Sequence, residues 1–261
     1  MKLGFIGTGR IAGDLLEGLC GDAPPGQRIH LSPRNREVSS RLAATYPGVK
    51  VCLDNQAVVE SSDVVFLSVL PVAAADVLRE LRFTSGQILI SLVAMMPAER
   101  VQALAPSATV VRAVPLPSVK RRQSPTAMYP DNPLARDIFD RLGTAVVLED
   151  EAAFCAVEAV TGLIKPVYAI LNEVSRWMAG HGVPEPTATR FVADEFHSML
   201  GLAAEAGSPG LDVLSAGAAT RGGLNQQATE FLRKAGAIGD FTDALDDLLA
   251  RIIRQPAEGA S

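Results

Sequence analysis

Short apolar segments alternate with amphipathic ones over the first 150 residues of the chain. The apolar segments, rich in Val, Ile and Leu, cover residues 2–6, 28–32, 63–70, 87–94 and 109–114. Runs of this kind are typical of strands buried on both faces. The helical segments between them cover residues 11–20, 37–46 and 73–81. The alternation predicts an α/β fold with a doubly wound parallel sheet, which a last strand at 144–150 completes.

The pattern changes at residue 151, after which every segment has helical spacing. Residues 152–182 form a long apolar stretch in which Pro166 predicts either a kink or the start of a second helix. Further helices are predicted within 187–207, at 224–234 and from residue 240 onwards. We therefore predict two domains, an α/β domain over residues 1–150 and an all-helical domain over residues 151–261.

The helical half carries much apolar surface for its length. Its helices can bury that surface in a closed bundle, or they can pack against a second copy of the chain. Sequence alone does not decide between the two, and we favour a homodimer.

Composition and charge exclude several classes of protein. A net charge of −5 with 5% aromatic residues argues against binding of nucleic acid, which needs a basic face. No continuous apolar run reaches the roughly 18–20 residues of a membrane span, and the first residues lack the pattern of a signal peptide. The three cysteines and three histidines have no metal or redox spacing, so we expect no metal site and a cytoplasmic protein.

A glycine-rich loop follows the first strand and opens the first helix. Residues 7–12, Gly7-Thr8-Gly9-Arg10-Ile11-Ala12, fit the dinucleotide-binding pattern G-x-G-x-x-G/A. Gly7 permits the tight turn, Gly9 lets a pyrophosphate approach the free N–H groups of the helix, and Ala12 lets helix and strand lie close. The loop therefore predicts a nicotinamide dinucleotide cofactor.

The end of the second strand indicates which dinucleotide is bound. An NAD site places an acid there, whereas this strand ends with Ser32, Arg34 and Asn35, and the first acid is Glu37. A hydroxyl and guanidinium groups suit a 2′-phosphate, so the sequence predicts NADP, with NADPH preferred over NADH. Ligands lie at the carboxyl ends of parallel strands, so residues 67–71, which include Val69 and Pro71, and residues 93–94, which include Ala94, should flank the cofactor as well.

Several motifs together resemble the pyrroline-5-carboxylate reductase family. They are "GFIGTGRIAGDLLEGL", "LSPRN", "SSDVVFLSVLP", "ISLVA", "VVRAVP", "EAVTG…KPVYAILNEVSRWMAGHGVP" and "TRGGLNQQ…FLRKAG". The resemblance extends over nearly the whole chain. It implies an N-terminal Rossmann domain and a C-terminal helical domain through which two chains interlock. It also implies reduction of a cyclic imine, pyrroline-5-carboxylate, to proline with NADPH.

The resemblance departs from the family pattern at the substrate end, in residues 114–118, 161–167 and 220–225. The family's motif at the last stretch cradles the substrate carboxylate. Here Gly222 and Gly223 keep the turn, Thr220 keeps a hydroxyl and Asn225 replaces a second threonine. Backbone N–H groups at Gly222 and Gly223, with Thr220 and Arg221, could hold a carboxylate. Asn225 and Thr220 are the candidate catalytic residues of this stretch. Asn225 could hydrogen-bond the imine nitrogen, and water would then supply the proton.

Lys165 leaves other hypotheses open. As a helix lysine it could act as a general acid, which would favour a dehydrogenase of 2-oxo or 3-hydroxy acids. A structural or solvent-facing role is the simpler interpretation. The altered substrate motifs also permit a protein of another class, a sensor that binds NADP(H) without catalysis.

Overall fold

The computed structural model describes residues 1–21, 28–205 and 207–254 and contains one eight-stranded sheet. The strands are β1 (Lys2–Ile6), β2 (Arg28–Leu31), β3 (Val49–Val51), β4 (Val64–Leu67), β5 (Ile88–Ser91), β6 (Thr109–Val114), β7 (Ser124–Tyr129) and β8 (Gly143–Val147). Their order is β3-β2-β1-β4-β5-β6-β7-β8, and all neighbours are parallel except β6 and β7.

Helices cover both faces of this sheet. Within the first 150 residues they are α1 (Arg10–Cys20), α2 (Arg36–Thr45), α3 (Asn55–Glu60), α4 (Pro71–Arg79), α5 (Ala98–Leu104), α6 (Pro133–Asp140) and a 3₁₀ helix (Pro117–Arg121). One apolar core joins one face of the sheet to α1, α2 and α6, and a second joins the other face to α3, α4 and α5. The predicted α/β sheet is therefore confirmed, because continuous apolar runs supply side chains to both cores.

The strand order reverses direction between β1 and β4. From β1 the chain proceeds outward to β2 and β3, and then returns to the other side of β1 with β4 and β5. The carboxyl ends of β1, β4 and β5 consequently lie side by side at one edge of the sheet. In open sheets of this kind ligands bind at such a switch point.

Short elements account for the differences from the predicted fold. The sequence did not predict β3, β7, α3, α5 or α6. The strand β3 and the three helices are short, and β7 contains Pro125 and polar residues in place of a continuous apolar run. The sheet is not wholly parallel, because β7 runs antiparallel to β6, with Arg112 opposite Tyr129.

The remaining helices are α7 (Glu151–Thr161), α8 (Ile164–Gly180), α9 (Glu185–Ala204), α10 (Leu211–Gly217), α11 (Leu224–Lys234) and α12 (Gly239–Ile253). The chain divides into two compact units, which we call the sheet unit (residues 1–158 and from Leu249 onwards) and the helical unit (Ala159–Leu248). The functional division at residue 150 stays a prediction.

The break between α7 and α8 shows why Pro166 is tolerated. The helix stops at Gly162 and Leu163, and Pro166 lies in the first turn of α8, where its missing N–H group is not needed. A Cβ atom at Gly162 would come within 2.7 Å of Leu248. Of the two predicted alternatives, the second helix after a break is therefore the correct one.

Residues Glu151–Gly180 are long and apolar enough, by length and composition alone, to cross a membrane. The sequence expectation that no segment reaches this length considered only uninterrupted apolar runs. Charged residues such as Glu158, Lys165 and Glu173 interrupt the stretch without lowering its average hydropathy far. Only 17% of the apolar window is buried within the chain.

Candidate active site

Gly7 makes the turn between β1 and α1, and its backbone angle and its contacts within the protein require a glycine. Its φ angle is +92°, and a Cβ atom would lie 2.4 Å from the carbonyl oxygen of Ser68. Its N–H donates to Oγ of Ser32 over 3.0 Å. The backbone turn is therefore locked between the ends of β2 and β4.

Gly9 differs, because a Cβ atom added there would meet no heavy atom of the described protein within 4 Å. It is the N-cap of α1 and provides no capping side chain, so the first N–H groups of α1, from Arg10, Ile11 and Ala12, have no hydrogen-bond partner within the helix or from a capping side chain. Beside them, Oγ1 of Thr8 is buried without a hydrogen-bond partner among the described residues. Open N–H groups and an orphaned hydroxyl fit a pyrophosphate.

The other residues of the loop have structural positions. Ala12 is fully buried in the core, as its small size suggested, whereas Arg10 is exposed and Ile11 partly buried. Thr8, Gly9, Arg10 and Asn35 line one cavity of about 480 Å³ between α1 and α2. The fold thus gathers the predicted cofactor residues of β1, α1 and α2, and their binding role stays a prediction.

Of the residues predicted to bind the 2′-phosphate, two make hydrogen bonds within the protein and one is exposed. Ser32 is 1% exposed and its Oγ accepts from Gly7, so its visible role is to hold the turn. Asn35 is the N-cap of α2, accepting from the N–H of Val38 over 3.3 Å. Arg34 is exposed just before α2, where a cation is unfavourable to the helix dipole and a bound anion would be stabilised.

The ends of β4 and β5 complete this edge. Val69 packs within 3.0 Å of the position a Gly7 side chain would take, and Pro71 is the first residue of α4. Oγ of Ser68 is buried without a partner among the described residues. Ala94 is exposed after β5. The topology therefore brings Val69, Pro71 and Ala94 to the edge where the glycine loop lies.

A buried ionic cluster beneath this edge was missed by the sequence analysis. Arg112 of β6 is 2% exposed and lies between two carboxylates of α7, with Nη1 3.0 Å from Glu151 and Nη2 2.9 Å from Glu158. Its guanidinium carbon is 4.4 Å from the centre of the Phe154 ring. The sequence contains a pattern that could have predicted this cluster. It is a lone arginine in an apolar strand, followed by a helix with two glutamates seven residues apart.

The predicted substrate turn, residues 220–225, precedes α11 in the helical unit. Gly222 has a φ angle of +73° and donates to Oε1 of Gln226 over 2.8 Å. Gly223 is the N-cap of α11, again without a capping side chain, and donates to the carbonyl of Thr220 over 2.8 Å. Thr220, Arg221 and Asn225 are exposed. The N–H groups of Gly222 and Gly223, which the sequence analysis assigned to a carboxylate, are thus used within the turn. The first N–H groups of α11 that follow have no partner within the helix, an arrangement that suits a carboxylate.

Two predicted catalytic residues have ordinary surroundings in the chain. Asn225 donates from Nδ2 to the carbonyl oxygen of Ala218 over 2.9 Å, which fixes the orientation of its amide. Lys165 is exposed in the first turn of α8. Catalytic roles for both stay predictions.

Residues 2–95 match a family model described as NADP oxidoreductase, coenzyme F420-dependent. Over 201 residues the chain is 30% identical to the pyrroline-5-carboxylate reductase of Pseudomonas aeruginosa, covering 72% of this chain and 73% of that protein. The structure of the Streptococcus pyogenes enzyme of that name aligns with a TM-score of 0.82 at 22% identity, covering 97% and 98% of the two chains.

A pyrroline carboxylate reductase from Plasmodium falciparum, solved with NADP bound, also aligns with a TM-score of 0.82. It is 16% identical, and the alignment covers 97% of each chain. At these identities the two solved structures are evidence on the fold alone.

Proposed function

The chain belongs to the pyrroline-5-carboxylate reductase family, and on that basis we propose that it reduces pyrroline-5-carboxylate to proline with NADPH. A closely related cyclic imine carboxylate is the variant that the altered substrate motifs allow. The observation that carries the proposal is the open N-terminus of α1 at the switch point of the sheet, in a chain of this family. It offers N–H groups to the pyrophosphate of a dinucleotide.

The sheet unit supplies the proposed cofactor site. Bound NADPH would supply the hydride that reduces the C=N bond. The residues of the chain bind and orient it: Gly9 leaves room for the pyrophosphate, and Thr8 offers its buried hydroxyl. Arg34 would pair with the 2′-phosphate, because a guanidinium matches a phosphate in charge and geometry. That pairing is our reason to expect NADPH to be preferred over NADH.

The helical unit supplies a turn that suits the substrate carboxylate. N–H groups at the start of α11 would donate hydrogen bonds to that anion, with the Thr220 hydroxyl and the Arg221 guanidinium beside them. Asn225, held by Ala218, has an amide that can hydrogen-bond a ring nitrogen without titrating. The proton that accompanies the hydride would therefore come from water. Lys165 is not needed for this reaction and would matter for a hydroxy-acid dehydrogenase.

A homodimer formed through the helical unit is the second part of the proposal. Large apolar side chains stand exposed there: Tyr168 at 69%, Trp177 at 65%, Leu224 at 84% and Phe231 at 71%. Soluble monomers rarely expose so large an apolar surface. A second copy of the chain that covers these residues explains their apolar character, and no membrane is needed. The proposed partners are therefore a small substrate and that second copy, and the proposed location is the cytoplasm.

Substrate turnover tests the activity. We expect NADPH oxidation with pyrroline-5-carboxylate or pyrroline-2-carboxylate, and none with a panel of 2-oxo acids. If the protein turns over 2-oxo acids and a Lys165→Met variant does not, the proposal is wrong and the protein is a hydroxy-acid dehydrogenase. Tight NADPH binding with no turnover on any substrate would instead favour a sensor.

Cofactor preference is tested separately with Arg34→Ala. Loss of a charge-assisted pair with the 2′-phosphate should weaken the binding of NADPH about tenfold or more and leave the affinity for NADH nearly unchanged. Titration of each nucleotide by protein fluorescence measures the two dissociation constants. Equal losses for both nucleotides would contradict the assignment of Arg34 to the 2′-phosphate.

A further inference from the structure

The two glutamates that flank Arg112 use their oxygens in different ways. Glu158 employs both: Oε1 accepts from the backbone N–H of Met95 over 2.7 Å, and Oε2 accepts from Arg112 over 2.9 Å. Glu151 uses one oxygen twice, since its Oε1 accepts from the N–H of Ala98 over 2.7 Å and from Arg112 over 3.0 Å. Glu158 is also the more buried, at 6% exposure. It is therefore a two-sided clamp between β6 and the segment after β5.

The backbone that Glu158 holds is in an unfavourable conformation. Met95 has a φ angle of +59°, in the left-handed region that residues other than glycine, asparagine and aspartate rarely adopt. Such a conformation is strained, and it persists where surrounding bonds impose it. A hydrogen bond to an ionised carboxylate is among the stronger ones available, so Glu158 is well suited to impose this turn.

The clamped segment lies at the cofactor edge of the sheet. Arg34, the proposed partner of the 2′-phosphate, follows β2 on one side of the switch point, so the adenosine half of the cofactor belongs there. The nicotinamide half then extends toward β4 and β5. Ala94 and Met95 lie three and four residues after the end of β5 and belong to that side.

We propose that Glu158 is a positioning residue that shapes the nicotinamide half of the cofactor site through the backbone of Met95. It does not touch the cofactor itself. Arg112 fixes the orientation of the Glu158 carboxylate, and the carboxylate keeps Met95 left-handed, which sets the position of Ala94. This inference rests on the proposed binding of NADPH.

Glutamine substitutions at the two positions form a matched pair. A glutamine side chain has one carbonyl oxygen and one donor group. In Glu158→Gln it can accept from Met95 or from Arg112 but not from both. In Glu151→Gln the single carbonyl oxygen can keep both of the original bonds. Both variants remove one negative charge beside Arg112, and only Glu158→Gln is expected to disturb the bond to Met95.

Three measurements read out the clamp. We expect Glu158→Gln to weaken the binding of NADPH about tenfold. The affinity for 2′-phospho-ADP-ribose, which lacks the nicotinamide, should stay within about twofold of the wild-type value. Glu151→Gln should change neither ligand by more than about twofold. In the protein without ligand, amide hydrogen exchange across residues 93–98 should accelerate in Glu158→Gln only.

Equal weakening of both ligands in Glu158→Gln, or equal effects of the two variants, would overturn the inference and leave the cluster a purely structural one. Absence of NADPH binding in the wild type would overturn the proposed function, whereas the exchange measurement would still report on the clamp. Should Glu158→Gln not fold, Met95→Val replaces it, because a β-branched residue resists positive φ while Arg112 and Glu158 stay paired. The same split between NADPH and the fragment is expected, and its absence would count against the inference.

Discussion

The two units of this chain treat their apolar residues in opposite ways. In the sheet unit, Phe5 and Phe66 are fully buried and stack with ring centres 4.6 Å apart. In the helical unit, Phe231 is 71% exposed and Trp177 is 65% exposed. The sheet unit buries most of its large apolar side chains within itself, although Leu53, Leu70 and Val72 are exposed, whereas the helical unit leaves many of its large apolar side chains exposed. A helix can be formed by local spacing alone, but its apolar face needs another surface to cover it.

The largest expected effect comes from truncating one phenylalanine in each unit. Phe66→Ala should lower the free energy of unfolding by about 3–5 kcal/mol, because it empties space in a closed core. Phe231→Ala should leave the unfolding midpoint of the dilute protein nearly unchanged and weaken the proposed dimer about tenfold or more. Urea unfolding and sedimentation equilibrium measure the two quantities. A large loss of stability in dilute Phe231→Ala would contradict the contrast.

Two glycines of the cofactor loop give a smaller contrast within the sheet unit. Gly7→Ala should destabilise the fold by about 1–2 kcal/mol for its left-handed backbone alone, with more from the overlap with Ser68. Gly9→Ala should fold as the wild type does and bind NADPH poorly, since its Cβ points into open space. Thermal melting together with NADPH titration separates the two. Normal NADPH binding by Gly9→Ala would show that the pyrophosphate lies elsewhere.

The smallest effect concerns pH and is confined to the sheet unit. Burial lowers the pKa of His30 from its usual 6.5, and the nearby charges of Lys2, Lys50 and Arg28 lower it further. The unfolded chain therefore takes up a proton at higher pH than the folded protein does. Stability from this group is complete above pH 6.5 and is lost as the pH falls through that value toward the lowered pKa. Urea midpoints between pH 7.5 and 5 should depend less on pH in His30→Gln, and an unchanged slope would contradict this origin.

Several site residues have roles that their positions in the sequence did not disclose. Ser32 and Asn35 were predicted as ligands of a 2′-phosphate, and the fold uses them to hold Gly7 and to cap α2. Asn225 was predicted to hydrogen-bond an imine, and it is held by Ala218. A side chain's partner depends on which loops the topology brings together, and residue type alone does not specify that.

The amino-acid sequence by itself determined the strand and helix alternation, the helical second half and the glycine loop after β1. These features depend on side-chain period and on local backbone freedom, which neighbouring residues control. Only the tertiary structure decided the antiparallel β7, the separate roles of Gly7 and Gly9, and the clamp of Met95 by Glu158. The last joins residues that are 63 positions apart, and such a contact exists only once β5, β6 and α7 have packed together.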